Sequence, residues 1–394
     1  TLYCGFDPTA DSLHVGSLVP LLVLRRFQLA GHRPLVLLGG ATGLIGDPSG
    51  KSAERNLNDK EVVDGYVERF RGQVSQFLDF SAKETGARIV NNYDWIGSLS
   101  TIGYLREVGK HFTVNWMLAK DSVQSRLGRE AGGISYTEFS YMILQAFDFY
   151  HLAKTHGCRL QIGGSDQWGN MTAGIDLIRK KLSTQAYVQT LPLVTTAEGK
   201  KFGKTEAGAI WLDPKRTSPY AFYQFWLNVD DRDAVRYLKF FTFVSREEID
   251  ALAQSHAERP DQRHAHRRLA QEVTLLLHGQ TELDKVLRAS EALFGAGELT
   301  ETDPETLEAA VASAPSVSFP ALDAVPDLLQ VLVDVGLMSS RSEARKAITS
   351  GGVYINNVRL AQPDHRLTTN DLLHGRLIIL RKGKKNYALV RIQA

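Results

Sequence analysis

Residues 4–17 read CGFDPTADSLHVGS and join a predicted strand to a predicted helix through a polar loop. An apolar run ends at Phe6, and a helical pattern begins near Gly16. Because the first amides of a helix have no partner within it, such a loop attracts phosphate oxygens, to which Thr9 and His14 can also donate hydrogen bonds. Gly16 would let a ligand come close to the backbone. The alternative is a capping loop that carries a surface histidine.

The first 215 residues alternate short apolar runs with longer amphipathic stretches. Strands are predicted at residues 2–6, 34–38, 88–90, 159–162 and 191–195, and helices at residues 16–30, 61–78 and 137–152. This alternation predicts a Rossmann-like α/β fold, with a parallel sheet and helices on both of its faces. We expect a ligand to bind at the carboxyl ends of the strands.

Composition and periodicity predict four parts in the chain of 394 residues. The α/β catalytic domain would occupy residues 1–217, a small helical domain residues 218–295, a linker residues 296–326 and an α+β module residues 327–394. Apolar spacing at residues 221–227, 234–243, 247–253 and 266–277 predicts the helical domain. Four prolines indicate the linker, although residues 304–314 could hold one helix.

Charge is unevenly distributed along the chain. The net charge is +2, yet residues 341–394 hold eleven Lys or Arg against three Asp or Glu. This basic end indicates a polyanionic partner there, and the alternative is a basic surface without a partner. The predicted contacts are Arg341, Arg345 and Lys346 on a helix, and Arg381, Lys382, Lys384 and Lys385 around a hairpin turn.

Cysteine content and hydropathy bear on the compartment. The two cysteines allow no disulfide framework and no zinc site rich in cysteine. No apolar run approaches the roughly 18 residues of a membrane span, and no signal or transit peptide is recognisable. We therefore expect a cytoplasmic protein with no membrane partner and no dedicated metal site. The chain opens directly in a predicted strand, so we also expect further residues before Thr1 in the native protein.

A second candidate phosphate site lies at residues 200–205, which read KKFGKT. Lys201 and Lys204 stand three positions apart around a glycine, an arrangement that can close on a polyphosphate. Alone, such a run is more typical of a solvated turn, but its combination with residues 4–17 favours the phosphate site. Lys51 and Arg55 follow a loop rich in Gly and Pro, and they could reach the phosphates from the opposite side or merely solvate that loop.

A polar stripe marks the helix predicted at residues 137–152. Tyr141, Gln145 and Asp148 lie at positions i, i+4 and i+7, within about 60° of arc on a helix otherwise rich in apolar residues. Such a stripe faces either a pocket or solvent.

Another polar cluster, Gly164, Asp166 and Gln167, follows the strand predicted at residues 159–162. Its position at the end of a strand favours a place in the same pocket. A glycine-rich turn with Asp166 as a helix N-cap is equally compatible with the pattern.

Together these motifs resemble those of the bacterial-type tyrosyl-tRNA synthetases, a family of class I aminoacyl-tRNA synthetases, over essentially the whole chain. Residues 8–17 are similar to the family's His-Ile-Gly-His signature region, and residues 201–205 to its Lys-Met-Ser-Lys-Ser loop in the form Lys-Phe-Gly-Lys-Thr. Ser17 departs from the pattern, because the family usually has a second histidine there. Further matching stretches are residues 39–43, 47–48, 139–141, 163–168 and 218–220.

The resemblance implies a role for each site residue. Tyr141 and Gln145 would hold the tyrosine ammonium with help from Asp47. Gln167 would lie near the tyrosine carboxylate, and Asp148 and the hydroxyl of Tyr3 would meet the phenol. The implied ATP-binding residues are Gly5, Asp7, His14, Gly16, Ser17, Gly164, Asp166 and Lys204, and the implied catalytic residues are Thr9, His14, Lys201 and Lys204.

The resemblance also implies the reaction and the partners. ATP, accompanied by Mg²⁺, would activate L-tyrosine to tyrosyl-adenylate, and the tyrosyl group would pass to tRNA(Tyr). The basic end resembles the family's S4-type RNA-binding module. Residues 110–118 and Tyr136 lie in regions that resemble the interface of the family's homodimer.

Two other classes of function remain open from the sequence. A tryptophan-activating relative would share both phosphate motifs but has little use for a carboxylate aimed at a ring hydroxyl, so Asp148 argues against it. A non-catalytic RNA-binding protein on the same scaffold would keep the basic end and lose the pocket. The pocket residues are present together, which favours an active enzyme.

Overall fold

The computed structural model describes residues 1–49, 57–127, 133–200, 202–205, 208–294, 298–312, 314–383 and 386–393. For Ser125, Lys204 and Thr205 it describes the backbone alone. Five residues with predicted roles lie outside the described residues, and their roles stay predictions: Lys51, Arg55, Lys201, Lys384 and Lys385.

Strands alternate with helices along most of the chain, and helices alone occupy the stretch from Pro219 to Phe294. The strands are β1 (Leu2–Phe6), β2 (Pro34–Leu38), β3 (Arg88–Asn91), β4 (Leu160–Gly164), β5 (Tyr187–Leu191), β6 (Lys204–Thr205), β7 (Gly208–Ala209), β8 (Ser316–Phe319), β9 (Val353–Ile355), β10 (Val358–Arg359), β11 (Leu377–Lys382) and β12 (Asn386–Ile392). The helices are α1 (Leu18–Leu29), α2 (Lys60–Val74), α3 (Tyr93–Ile96), α4 (Thr101–Glu107), α5 (Val114–Leu118), α6 (Asp121–Leu127), α7 (Tyr136–His156), α8 (Trp168–Leu182), α9 (Pro219–Leu227), α10 (Asp231–Phe241), α11 (Arg246–Glu258), α12 (His264–Phe294), α13 (Pro304–Ala310), α14 (Leu328–Asp334) and α15 (Arg341–Thr349).

The chain forms two compact units, one of Thr1–Arg216 and Val229–Leu269, the other of Thr217–Asn228 and Ala270–Ala394. The helices predicted at residues 218–295 are present as α9–α12. These helices are divided between the two units, and α12 is interrupted at Gly279, where φ is +80°. The division into four domains therefore stays a prediction.

The first unit contains a five-stranded parallel sheet with the strand order β3-β2-β1-β4-β5. This order confirms the predicted Rossmann-like α/β class. The direction of chain progression reverses between β1 and β4, which is where ligands bind in open sheets of this type. The two strands pair only at Leu2 with Leu160 and at Tyr3 with Gln161, so a crevice opens beyond these pairs.

One strand was predicted in the wrong place. The fifth strand, β5, runs from Tyr187 to Leu191 in register with β4 and ends where the prediction of 191–195 begins. Pro192 follows at once, and because proline has no amide hydrogen it cannot continue the ladder. The apolar residues 192–194 are therefore part of a loop.

Helix α7 carries the polar stripe, and its two ends are defined by local sequence. Ser135 accepts a hydrogen bond from the amide of Glu138 at the start, and Gly157 ends the helix with φ of +62°. Such a serine cap and left-handed glycine are the usual boundaries of a helix. The helix packs along α8, and most of its side chains between Tyr141 and Ala153 are buried.

The second unit contains a mixed sheet of order β10-β9-β11-β12-β8. The predicted hairpin is confirmed as β11 and β12, and residues 304–310 form the helix α13. The segment predicted as a linker also supplies β8, which pairs in parallel with β12. Part of that segment is thus built into the C-terminal α+β module. Within the described ranges no helix has the length and apolar character that crossing a membrane requires.

Candidate active site

A cavity of about 320 Å³ opens at the crevice between β1 and β4. It is lined by the ends of these strands, the loop that follows β1, and one face of α7. Fourteen of the predicted tyrosine-binding, ATP-binding and catalytic residues meet there: Tyr3, Gly5, Asp7, Thr9, His14, Gly16, Ser17, Asp47, Tyr141, Gln145, Asp148, Gly164, Asp166 and Gln167. The polar stripe of α7 therefore faces a pocket.

The carboxylate of Asp148 lies fully enclosed in one part of this cavity. It accepts hydrogen bonds from Nδ2 of Asn92 at 3.0 Å and from Nε1 of Trp95 at 2.8 Å. Burial raises the pKa of this carboxyl to about 8, although the two hydrogen bonds act in the opposite direction. The ring of His151 stacks on that of Trp95 at 4.4 Å. The indole is thus held on both its edge and its face.

Two polar atoms in the same region have no hydrogen-bond partner among the described residues. They are the hydroxyl oxygen of Tyr3 and Oε1 of Gln161, both fully buried. Burial, and then the nearby Asp148, raise the pKa of the Tyr3 hydroxyl well above its usual range. Buried polar groups generally have a hydrogen-bond partner, and in a cavity that partner can be a bound ligand or a water. A ligand with a polar end that both donates and accepts would fit this region.

Asp7 links the end of β1 to the α7 stripe. Its carboxylate accepts from the hydroxyl of Tyr141 at 2.6 Å and from the hydroxyl of Thr42 at 2.7 Å. A side chain at Gly39 would collide with Asp7, since a Cβ there would lie 2.0 Å from Oδ1. Burial raises the pKa of Tyr141 well above its usual range, followed in effect by Asp7, so the hydroxyl keeps its proton and donates.

A second network surrounds Asn170, a buried residue of α8 that the sequence analysis missed. Its amide donates toward Oε1 of Gln145 at 3.1 Å and Oε1 of Gln167 at 3.2 Å. Gln167 in turn donates to Asp47 at 2.7 Å. Asn170 therefore orients two predicted ligands of the amino acid, and Gln167 connects this network to the Asp47 carboxylate.

His14 is held by the backbone of the helix start. Its Nδ1 accepts a hydrogen bond from the amide of Gly16 at 3.0 Å, which in the neutral ring leaves the hydrogen on Nε2. The side chain can therefore donate through Nε2. Gly16 is also constrained by His14, because a Cβ there would lie 2.7 Å from the imidazole; the predicted close approach of a ligand stays a prediction.

We call residues 194–205 the lysine loop and residues 7–17 the His14 loop. The described residues of the lysine loop lie beside the His14 loop. The amide of Val15 donates to the carbonyl of Ile210 at 3.0 Å, and the amide of Ile210 donates to Gly203 at 3.0 Å. Gly203 has φ of +78°, and a Cβ on it would lie 2.4 Å from the side chain of Val15. Lys204 begins β6 directly after this contact.

The predicted RNA contacts lie in the second unit and differ in their surroundings. Arg341 pairs with Asp327 at 2.8 Å, and Lys382 pairs with Glu343 at 2.7 Å. The guanidinium of Arg381 lies over the ring of Tyr354. In contrast, Arg345 and Lys346 are exposed on α15, and neither has an ion-pair partner in the part of the chain that the structure describes.

The residues that the sequence analysis missed support the predicted ones from other elements. They are Thr42, Asn92, Trp95, His151, Gln161 and Asn170. Asn92 directly follows β3, so the rule that ligands gather at strand ends could have identified it. Asn170 stands three positions after Gln167, a spacing that places both on one face at the start of α8.

Comparison with known proteins gives the class. Residues 1–295 match the sequence family of the class I tRNA synthetases (W and Y). Residues 306–390 match the family of the tyrosine–tRNA ligase SYY-like C-terminal domain. A C-terminally truncated mitochondrial tyrosyl-tRNA synthetase from Aspergillus nidulans has the same fold, with a TM-score of 0.64 and 31% identity, over 72% of this chain and 83% of that one. Fold and site thus define a class I aminoacyl-tRNA synthetase.

Full-length relatives narrow the class. The tyrosine–tRNA ligase of Geobacillus kaustophilus is 56% identical over 392 residues, which are 99% of this chain and 92% of that protein. The tyrosine–tRNA ligase of Roseiflexus castenholzii is 54% identical over 395 residues, covering 100% and 93%. The chain belongs to the bacterial-type tyrosine–tRNA ligases, which are ATP-dependent enzymes of class I.

Proposed function

We propose that the cavity between β1 and β4 activates L-tyrosine with ATP and that the tyrosyl group then passes to the 3′ end of tRNA(Tyr). One observation carries this proposal. The enclosed Asp148 carboxylate and the partnerless Tyr3 hydroxyl lie together in the cavity. A phenol hydroxyl can donate to the first and accept from the second, so it satisfies both.

Selectivity follows from these two groups. Phenylalanine would fill the same space, but it would leave the Tyr3 hydroxyl without a partner and would offer the Asp148 carboxylate no donor beyond Asn92 and Trp95. A site built to bond a hydroxyl rejects the analogue that lacks it, and tyrosyl enzymes are the standard example of this effect. Tryptophan would bring an indole N–H, which cannot accept a bond from Tyr3.

The amino-acid end would lie near the two networks described above. Asp47 supplies the negative charge for the substrate ammonium, and Tyr141 and Gln145 supply neutral oxygens. Gln167 then lies on the side of the substrate carboxylate. Because Asn170 and Asp7 already orient these side chains, little ordering remains to be done when tyrosine binds.

Activation requires attack by the tyrosine carboxylate on the α-phosphorus of ATP. A new bond forms between carboxylate oxygen and phosphorus, the bond to the bridging oxygen breaks, and pyrophosphate leaves with the electron pair. No side-chain nucleophile is needed, so the protein acts by positioning and by electrostatic stabilisation. We assign this task to Thr9 and to Nε2 of His14 on one side, and to Lys201 and Lys204 on the other.

The other substrate contacts are proposed from the same geometry. Asp166 would bond the ATP ribose, with Gly5, Gly16, Ser17 and Gly164 close to the nucleotide. ATP would enter with Mg²⁺ as part of the substrate. Within the described residues no group of three or more His, Cys, Asp or Glu could hold a metal ion.

Assembly and location complete the proposal. Ile102, Val114 and Tyr136 are apolar or aromatic side chains that are more than half exposed on α4, α5 and α7. Such exposure is typical of a protein interface, so we propose a homodimer formed through this region. The exposed Arg345 and Lys346 would contact tRNA phosphates. The enzyme would act in the cytoplasm, where its tRNA substrate is used.

Charging of tRNA(Tyr) with labelled tyrosine by the full chain tests the proposal. We expect acid-precipitable label that depends on ATP, and no charging of tRNA(Phe) or tRNA(Trp). Tight binding of tRNA without any charging would instead support the non-catalytic RNA-binding alternative.

A further inference from the structure

The base of the lysine loop is held by helix α10, which belongs to the same compact unit. Oδ2 of Asp233 accepts a hydrogen bond from the amide of Ala197 at 2.7 Å. The hydroxyl of Tyr237 donates to the carbonyl of Thr195 at 3.0 Å, and Arg236 donates to the same carbonyl. Positions 233, 236 and 237 lie on one face of a helix, so α10 presents all three to the loop.

The contact through Asp233 is buried. Its side chain is 3% exposed and pairs with Arg236 at 3.2 Å. A carboxylate in such surroundings needs every partner it has, because a buried charge without hydrogen bonds is strongly unfavourable. The amide of Ala197 is one of these partners, and the loop cannot move away from α10 without exposing or stranding the carboxylate.

An aromatic contact extends the attachment to the lysine motif itself. Phe202, which is buried, lies with its ring centroid 4.7 Å from that of Tyr237 and 5.2 Å from that of Phe241. It directly precedes Gly203 and Lys204. The apolar face of α10 therefore sets where the motif begins.

The loop between these attachments is closed by its own backbone. The amide of Thr196 donates to the carbonyl of Lys200 at 2.8 Å, and the amide of Phe202 donates to the carbonyl of Val194 at 3.2 Å. The two sides of the loop base are thus joined. We expect a displacement at Thr195 or Ala197 to shift Phe202, which directly precedes Gly203 and Lys204 in the chain.

We infer that Asp233 and Tyr237 are positioning residues for the activation step, which hold the base of the lysine loop so that Lys204 can meet the ATP phosphates. Neither residue lines the cavity between β1 and β4. They act through the loop backbone and contact no substrate. The inference rests on the proposed role of Lys204.

The test compares Asp233→Ala and Tyr237→Phe with the control Asp231→Ala in the full chain. Tyr237→Phe keeps the ring on Phe202 and removes only the hydroxyl, so it tests the hydrogen bond even if Asp233→Ala folds poorly. Asp231 stands in the same first turn of α10 but bonds Arg263 and His266, and it makes no hydrogen bond or ion pair with the loop residues that the structure describes. It controls for general loss of stability and for lost charge at the helix start.

Two readouts are measured. Limited trypsin cleavage after Lys200, Lys201 and Lys204, mapped by mass spectrometry, reports attachment of the loop without any reference to catalysis. Steady-state ATP–pyrophosphate exchange at varied ATP and at varied tyrosine reports kcat/KM for ATP and KM for tyrosine. For both test variants we expect faster cleavage in the loop and a kcat/KM for ATP reduced about ten-fold, with KM for tyrosine within about two-fold of wild type.

Three results would overturn the inference. These are unchanged loop cleavage in both test variants, an equal change in Asp231→Ala, or a rise in KM for tyrosine as large as the loss toward ATP. Failure of the proposed function is distinguishable, because it would show as a wild-type enzyme without adenylate formation. In that case, faster loop cleavage in the two variants would still support the attachment to α10.

Discussion

Gly203→Ala should slow adenylate formation far more than the chemically identical change Gly199→Ala. Both glycines have φ of +78°, so alanine costs each backbone about 1–2 kcal/mol in stability. At Gly199 a new Cβ meets nothing within 4 Å. At Gly203 it would lie 2.4 Å from Cγ2 of Val15, against an ordinary carbon contact of about 3.5–4.0 Å. Lys204 and the His14 loop must therefore separate by about 1 Å.

A displacement of that size at a reacting centre can cost about 10²-fold in rate, which is about 2.7 kcal/mol. Single-turnover adenylate formation at saturating tyrosine and ATP measures the rate, and thermal unfolding measures the stability of each variant. We expect Gly203→Ala to lose more stability than Gly199→Ala, by the roughly 1–3 kcal/mol of an overpacked contact. In rate, we expect Gly203→Ala to lose about 100-fold and Gly199→Ala to stay within a few-fold of wild type. Equal rates in the two variants would refute the idea that activation depends on close packing of the lysine loop against the His14 loop.

Three further predictions concern other parts of the protein. His14→Ala should slow adenylate formation much more than Ser17→Ala. For Ser17→Ala, the loss of a neutral hydrogen bond predicts a slowing of about two- to twelve-fold, and equal losses for the two variants in single-turnover assays would contradict the role of His14. Because burial raises the pKa of Asp148 to about 8, the free pocket holds a protonated carboxyl below that pH, whereas the ionised form accepts the substrate phenol. Tyrosine binding should therefore tighten as pH rises toward about 8, by up to about ten-fold per unit, in fluorescence titrations between about pH 6.5 and 8.5. Asp148→Asn should bind weakly with a flat profile, and a flat wild-type profile would argue against the assignment. The double change Arg345→Glu and Lys346→Glu should raise KM for tRNA(Tyr) and leave adenylate formation unchanged. Arg341 is already paired with Asp327, so Arg341→Glu should raise this KM less. A larger rise for Arg341→Glu than for the double change would show that the RNA-binding surface is assigned wrongly.

The sequence predicts most of the fold that carries the site because periodicity is local information. Strands β1 to β4 and helices α1, α2 and α7 lie close to their predicted positions. The short helices α3 to α6 and the helix α8 were not predicted. Misplacement of β5 shows the weakness of an apolar run alone, since Pro192 ends the ladder that pairing with β4 defines.

Non-local pairing explains why the segment predicted as a linker contains a strand. A strand at β8 is stable because it lies beside β12, more than 70 residues later in the chain. Nothing in the proline-punctuated segment itself indicates that partner. The division of α9 to α12 between the two compact units could not be predicted either. A compact unit is defined by contacts between distant residues and not by composition.

The candidate site likewise contains residues that local sequence predicts and residues that only the fold brings in. The stripe of Tyr141, Gln145 and Asp148 follows from helix geometry, and the structure places all three in the cavity. In contrast, Asn92 and Trp95 bond Asp148 from an element more than 50 residues away in sequence. Such supporting contacts have no signature in spacing, which is why the sequence predicts the residues that meet substrate better than those that orient them.

The central claim is that the Tyr3 and Asp148 pair selects tyrosine, and amino-acid-dependent ATP–pyrophosphate exchange tests it most directly. The wild-type enzyme is assayed with tyrosine, phenylalanine and tryptophan, beside Asp148→Ala. We predict that tyrosine alone supports exchange in wild type, and that Asp148→Ala loses discrimination against phenylalanine more than it slows reaction of bound tyrosine. Exchange with phenylalanine or tryptophan by the wild type, or full selectivity in Asp148→Ala, would contradict the account.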